Sequence, residues 1–166
     1  MATSRELLQS AADVVIRPMT EPDVDAVVAL ERASYQFPWS EGIFRDCLRV
    51  GYTCRVATSG NRLIGYGVMS VGAGEAHILN LCIDAAFRCQ GVGRRMLDYL
   101  LDRGAAAGMN EAFLEVRPSN TAAIRLYLAV GFDQVGMRRG YYQAVGGRED
   151  AAVLKLTLRG RHVPTS

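Results

Sequence analysis

Between Ile78 and Leu101 the chain reads ILNLCIDAAFRCQGVGRRMLDYLL, an apolar strand, a short turn and then a helical stripe. Gly91 and Gly93 stand one residue apart in that turn, with Arg88, Arg94 and Arg95 around them. A helix N-terminus leaves backbone N–H groups unpaired and carries partial positive charge, and glycines let a ligand approach the chain closely. The run Arg88-Cys89-Gln90-Gly91-Val92-Gly93-Arg94 is therefore a candidate anion site, although a plain tight turn before a helix accounts for the glycine pair equally well. It lacks the Gly-Lys-Ser/Thr ending of a P-loop, and it lacks the third glycine and ribose-binding acid of a dinucleotide fold. A different phosphate compound is called for. A second set of candidates follows in Glu115, Asn120 and Tyr127. Asn120 and Tyr127 share a helical face and lie roughly 10 Å apart along the axis at about 1.5 Å per residue. By pattern alone, Glu115 reads as a solvated outward side chain and Tyr127 as a core position. Chemically they offer a proton acceptor and a proton donor.

The elements that must position these residues follow from periodicity. Positions 76 to 83 are largely apolar on both faces of an extended chain, as in a covered central strand, with Asn80 as the interruption that hints at a break in strand pairing. After Gly93, Met96, Leu97, Leu100 and Leu101 form one helical stripe with Val92. Upstream, Val14 to Arg17 reads as a strand. Thr20 then caps a helix that ends near Ala33, and Ser40 caps a second over Glu41 to Leu48. Between them lies Tyr35-Gln36-Phe37-Pro38-Trp39, a loop whose aromatics pack on the core and form one wall of a substrate groove. Tyr52 to Thr58 and Arg62 to Val71 read as a hairpin through Ser59-Gly60-Asn61. Downstream, residues Gly104 to Gly108 are a small-residue exit and Glu111 to Arg117 a strand. Ser119 or Asn120 caps a helix that Gly131 stops. Phe132 to Met137, a loop holding Arg138, Arg139, Tyr141 and Tyr142, and a strand over Asp150 to Leu158 complete the order. This order predicts an α/β (α+β mixed) sheet with helices on both faces.

Length and composition narrow the function classes. With 166 residues and 49% apolar content, one well-cored domain over 14–158 is expected. Residues 1–13 then form a flexible extension and 159–166 a C-terminal tail. No run approaches the roughly 18 to 20 apolar residues of a membrane span, and the N-terminus lacks a signal-peptide core, which leads to the expectation of a cytoplasmic protein without a membrane partner. The four cysteines are not in C-x-x-C pairs, so reduced thiols are expected, with no metal and no disulfide framework. Lys155 is the single lysine among 19 lysines and arginines, but a net charge of +2 gives no reason to expect nucleic acid. His77 and His162 are the only histidines, and the sequence places no partners for a histidine-based triad.

The order Arg88-Cys89-Gln90-Gly91-Val92-Gly93 resembles the Arg/Gln-x-x-Gly-x-Gly/Ala motif of the GNAT family of acetyltransferases. Phe37-Pro38-Trp39-Ser40, Leu114 to Arg117 with Ser119-Asn120, Leu126-Tyr127, Tyr141-Tyr142 and Gly147 to Ala151 are similar to the bacterial branch that acetylates the N-terminal alanine of a ribosomal protein. The likeness runs from about Val14 to Leu156. It implies the GNAT acyl-CoA N-acyltransferase fold, with the pyrophosphate of acetyl-CoA on the amides from Arg88 to Arg94. It also implies a bulge near Asn80 and pantetheine contacts from the backbone of Leu81, Cys82 and Ile83. By the same resemblance Glu115 is the general base, Tyr127 the general acid for the leaving thiolate, and Asn120 a cofactor contact. Phe37, Trp39, Tyr141 and Tyr142 are candidates for the peptide groove, and a monomer is expected. Cys89 departs from the family where a basic residue is common, which implies modestly weaker cofactor binding.

An α-amine of pKa about 7.7 to 8.0 is roughly a tenth neutral at pH 7, whereas a lysine side chain near 10.4 is almost wholly charged. A protein N-terminus is therefore the easier acceptor for a carboxylate base, by direct transfer in a ternary complex rather than through Cys82 or Cys89. The alternatives are a GNAT enzyme acting on a small amine, a coenzyme A-binding module without catalysis, and an enzyme acting on aminoacyl-tRNA.

Overall fold

The computed structural model describes residues 13–162; the expected N-terminal extension, apart from Asp13, and the last four residues of the expected tail lie outside them. The described residues form seven strands and four α-helices. They are β1 (Val14–Pro18), α1 (Val24–Ser34), α2 (Glu41–Arg49), β2 (Thr53–Ser59), β3 (Arg62–Gly72), β4 (Glu75–Ile83), α3 (Val92–Ala106), β5 (Glu111–Val116), α4 (Thr121–Val130), β6 (Asp133–Ala144) and β7 (Gly147–Thr157). The sheet order is β1-β2-β3-β4-β5-β7-β6. β4 and β5 are parallel, while β1/β2, β5/β7 and β6/β7 are antiparallel, so the sheet is mixed as the element order predicts. By internal packing the chain divides into two compact units, one running to Val68 and including Asn80–Leu97, the other comprising Met69–Leu79 and Asp98 onward.

In the first unit, local chemistry starts each helix. Asp23 accepts from the Thr20 N–H at 2.8 Å and from both terminal nitrogens of Arg17 at 2.8 Å, which fixes a 3-10 turn over Glu21–Asp23 ahead of α1. The Arg17 hydrogen bond, more than any other contact, lowers the Asp23 pKa to about 2. Ser40 caps α2 as expected, accepting from the Ile43 N–H at 3.3 Å. The apolar faces of α1 and α2 bury Val24, Val27, Val28, Phe44 and Cys47. Rings stack from Trp39 to Phe44 at 5.3 Å and from Phe44 to Tyr66 at 5.5 Å, which is the packing role expected of the aromatic loop. A Cβ at Gly65 would lie 2.7 Å from Ile83 Cδ1 and 2.9 Å from the Cys82 carbonyl, so only glycine lets β3 pass β4 there.

Periodicity did not reveal the polar centre of this unit. Glu31 is 2% exposed on α1 and accepts from the Tyr66 hydroxyl, from Asn80 Nδ2 at 3.2 and 3.1 Å, and from the Trp39 N–H at 3.3 Å. Asn80 therefore interrupts its apolar strand to supply donors to a buried carboxyl group. Burial, then Cys82 and Glu31, push the Tyr66 phenol far above its ordinary range, so it keeps the proton it donates.

In the second unit, Ala112, Leu114 and Val116 of β5 face the core with Ala152 and Leu154 of β7, and Glu111 to Val116 pair with Thr157 to Ala152. Asn120, not Ser119, caps α4, with Oδ1 accepting from the Ala123 N–H at 3.2 Å, while Ser119 donates to Glu149 at 2.8 Å. Gly131 takes the left-handed conformation and closes that helix on the carbonyls of Leu128 and Tyr127. Two expectations are corrected here. The exit after α3 begins later, because Gly104 is still helical and lets the helix approach Ala76 and Leu158 to 3.2 and 3.4 Å of where a Cβ would stand. The loop expected at Arg138 to Tyr142 is instead part of β6, carried through register shifts between Arg138 and Tyr142 with Gly140 at positive φ; the reversal falls at Val145-Gly146.

Glu31→Ala leaves the Tyr66 and Asn80 donors buried without their acceptor, at about 1 to 3 kcal/mol for each such group. A loss of about 3 kcal/mol in urea unfolding is expected, and a loss below about 1 kcal/mol would contradict the account.

Candidate active site

The candidate residues fall into two groups, one in each unit. In the first, the chain leaves β4 at Ile83, and Asp84 starts a short 3-10 turn by accepting from the Ala86 N–H at 2.9 Å while Arg62 bonds its other oxygen at 2.8 Å. Phe87 is buried beneath the turn. Cys89, Gln90 and Gly91 are exposed, and both Cys89 (φ 61°) and Gly91 (φ 81°) take left-handed conformations. The Gly91 carbonyl accepts from the Arg95 N–H at 3.0 Å, which sets the first turn of α3. The first turn of a helix is where backbone N–H groups are available to an anion, and here that turn begins at Val92 and Gly93.

Side chains around the turn have distinct tasks. Val92 is buried, so it offers a ligand only its amide. Gln90 donates to the Ala86 carbonyl at 3.2 Å and Arg88 to the Ile83 carbonyl at 3.0 Å, and both contacts stiffen the turn. Arg94 is exposed. Arg95, expected to add charge here, instead donates to the Val14 carbonyl at 2.9 Å. A Cβ at Gly91 would meet nothing within 4 Å, so the surface over this glycine is open. Open space over Gly91, a helix N-terminus and exposed polar side chains fit a diphosphate.

Just upstream, Leu81 and Ile83 are half-buried and Cys82 is buried. The Leu81 carbonyl accepts from the Tyr35 hydroxyl at 2.8 Å and the Ile83 carbonyl from Arg88, which restricts ligand contacts of those two residues largely to their N–H groups. Tyr35 is a positioning residue that the sequence did not single out. Burial pushes the Cys82 thiol up, which disfavours it as a nucleophile. Phe37 is exposed, whereas Trp39 is half-buried on Phe44.

In the second group Glu115 is central. Its side chain is 8% exposed, with Oε2 at 2.5 Å from His77 Nε2 and Oε1 at 3.4 Å from Arg138 Nε. Burial works against the charged form, but His77, through its hydrogen bond and charge, together with Arg138 outweighs it and holds the Glu115 pKa below the ordinary carboxylate value. The outward, solvated reading of Glu115 is thereby overturned. Tyr127 is buried against Phe132 at 5.9 Å, and burial pushes its phenol up to about 12, so it carries a proton at neutral pH. Tyr142 is half-buried beneath the Arg117 guanidinium at 4.4 Å. Its phenol is pushed up by burial first and then by Tyr141, Glu115 and Tyr127, which places the carboxylate and the phenols in one electrostatic neighbourhood. Tyr141 meets Tyr142 edge-on at 4.9 Å and is more exposed. Asn120 has its Oδ1 committed to capping α4, so a cofactor contact falls to its Nδ2 donor.

The sequence missed His77 and Arg138. His77 pairs with Phe113 across the parallel β4/β5 register, two residues before Glu115 on the same face, and that register is invisible without the fold. Among the described residues no cluster of three or more His, Cys, Asp or Glu side chains is arranged to hold a metal ion.

Comparison with known proteins gives the same direction. The model of the acetyltransferase (GNAT) family matches residues 24–132. The [Ribosomal protein bS18]-alanine N-acetyltransferase of Escherichia coli (strain K12) is 34% identical over 143 residues, 86% of this chain and 97% of that protein. The crystal structure of the ribosomal-protein-S18-alanine N-acetyltransferase from Escherichia coli superposes with a TM-score of 0.81 at 33% identity, covering 87% of this chain and 94% of that one. Ard1 from Thermoplasma volcanium gives 0.80 at 27% identity, over 87% and 97% of the two chains. With a family match over about two-thirds of its length, this chain belongs to the GNAT family of acetyltransferases.

Proposed function

We propose that this chain transfers the acetyl group of acetyl-CoA to the N-terminal alanine of ribosomal protein bS18, directly and without an acetyl-enzyme. The observation that carries the reading is Glu115, a carboxylate taken out of water yet held ionised. Such a group is a proton acceptor aimed at a cation or a polarised N–H, and an α-ammonium is an acceptor whose own pKa, about 7.7 to 8.0, makes its deprotonation easy. The similarity to the Escherichia coli enzyme supports alanine of bS18 as the particular substrate.

The amides from Gln90 to Arg94 hold the diphosphate of acetyl-CoA, which supplies the activated acyl carbon. The N–H groups of Leu81 to Ile83 would serve its pantetheine, and Asn120 Nδ2 is a further donor suited to the cofactor. Glu115 takes a proton from the α-ammonium, whose nitrogen then attacks the acyl carbon. As the C–S bond breaks, Tyr127 gives its proton to the departing sulfur; the second proton that the nitrogen sheds on becoming an amide restores the phenol, and Glu115 releases its proton to solvent. The buried Tyr127 hydroxyl, neutral at physiological pH, suits that task. Phe37, Trp39, Tyr141 and Tyr142 flank the peptide. The chain acts as a cytoplasmic monomer on a protein N-terminus, not on aminoacyl-tRNA; an affinity that fell steeply with salt would point to the nucleic acid instead.

Glu115→Gln and Tyr127→Phe are each expected to lower kcat by about 100-fold with little change in the KM for acetyl-CoA, read from thiol release with a peptide beginning in alanine. Unchanged turnover in either variant removes the role assigned to that residue. Cys82→Ala and Cys89→Ala should keep turnover within about twofold, since no acetyl-cysteine forms. Replacing the peptide with polyamines or aminoglycosides should abolish thiol release, and faster release with those amines would move the substrate class. Because the Tyr127 phenol loses its proton only as pH rises through about 12, kcat should show no alkaline decline up to about pH 10. A decline centred below about pH 9 would argue against Tyr127 as the acid.

A further inference from the structure

Glu115 presents two chemically unequal oxygens. Oε2 is 2.5 Å from His77 Nε2, a short and strong hydrogen bond, whereas Oε1 has the longer 3.4 Å approach of Arg138 Nε. His77 is held by the parallel register that sets it opposite Phe113, so its ring and the Glu115 carboxylate share one face of the β4/β5 pair. Its side chain is 33% exposed against 8% for Glu115, and Arg138 is 56% exposed on β6. A strand-borne histidine therefore anchors one oxygen, while an exposed arginine stands farther from the other. Among the described residues, Tyr127 is buried and keeps its proton and Tyr141 lies edge-on to Tyr142, and other charged groups nearby have contacts of their own. Lys155 of β7, across from Phe113, pairs with Glu111 at 3.1 Å, Arg117 covers the Tyr142 ring and bonds the Gln143 carbonyl, and Tyr142 keeps its proton.

We propose that His77 is a positioning residue that selects which oxygen of Glu115 does the chemistry: its Nε2–H closes Oε2 and turns Oε1 to the acceptor amine. The proposal rests on Glu115 being the base. In the proton step an N–H bond of the ammonium breaks, an O–H bond forms at Oε1, and the nitrogen lone pair becomes available for the acyl carbon. Arg138 moves aside as the ammonium takes its place beside Oε1. His77 neither gains nor loses a proton in this step. It fixes the carboxylate plane and compensates the negative charge that burial opposes. Arg138 alone cannot do this, because its longer and more exposed contact gives way when the amine arrives.

The test is a pair of substitutions read by pH profile. His77→Leu removes the donor, so burial goes uncompensated and the carboxyl group retains its proton to higher pH. The acid limb of kcat should then move up by about one pH unit and kcat at pH 7 fall by about tenfold, with the KM for acetyl-CoA unchanged. His77→Gln keeps an N–H donor and should restore both the limb and kcat to within about threefold of the native enzyme. The amine's own titration is common to all three proteins and cancels in the ratios. If H77L does not fold, His77→Ala with added imidazole takes its place, and recovery of kcat on adding imidazole is expected. An acid limb that stays put without the donor, H77Q no better than H77L, or no recovery with imidazole would overturn the proposal. Glu115→Gln measured in parallel separates the two claims, since full activity there refutes the base itself, whereas an inactive E115Q beside an unaffected H77L refutes only the part given to His77.

Discussion

A carboxyl group removed from water must be met by donors or give up its charge, and among the described residues the Glu31 and Glu115 side chains are so placed. Glu31 and Glu115 are both nearly inaccessible, yet they are met differently. Around Glu31 the Tyr66 hydroxyl, the Asn80 amide and the Trp39 N–H occupy both oxygens, and every donor comes from a different element. Such a group is saturated and ties α1, the loop after it, β3 and β4 together. Around Glu115 one oxygen has a close partner and the other a distant one. The same residue type is thus saturated in one place and left with an open acceptor site in the other, which is what the proposed role of Glu115 as a base requires.

The phosphate turn shows a comparable division of labour. Its side chains mostly hold the backbone in shape, which leaves the proposed binding to the amides: Arg88 and Gln90 return to carbonyls of the preceding segment, Val92 anchors the helix in the core, and Arg95 reaches β1. This explains how cysteine is accommodated at position 89, where the family resemblance led to the expectation of a basic residue. The position is exposed and held at φ 61°, so what it contributes is a backbone direction rather than a charge. The helix terminus supplies the positive potential regardless.

Much of the architecture was legible because apolar periodicity and capping chemistry are local. The helices after Thr20, Ser40 and Asn120, the stop at Gly131 and the strand before the glycine turn all stand where the residue pattern puts them. Where reading failed, the cause was non-local. The stretch from Arg138 to Tyr142 looks like a loop because Gly140 and two arginines interrupt its pattern, yet pairing with β7 keeps it in the sheet through register shifts. Of the proposed site, Glu115, Asn120 and Tyr127 were singled out by family likeness. The partners that give Glu115 its state were not, since His77 lies 38 positions away and meets it only through strand register. Asn80 was read as a sign of disrupted pairing, and the fold gives it the further duty of satisfying Glu31.

Intact-mass spectrometry of small-subunit ribosomal proteins, from cells whose own copy of this chain is replaced by the native sequence or by Glu115→Gln, tests the central claim most directly. The account predicts one added acetyl group on the N-terminal alanine of bS18 with the native sequence and an unmodified N-terminus with E115Q. Acetylated bS18 in both strains, or in neither, would contradict it.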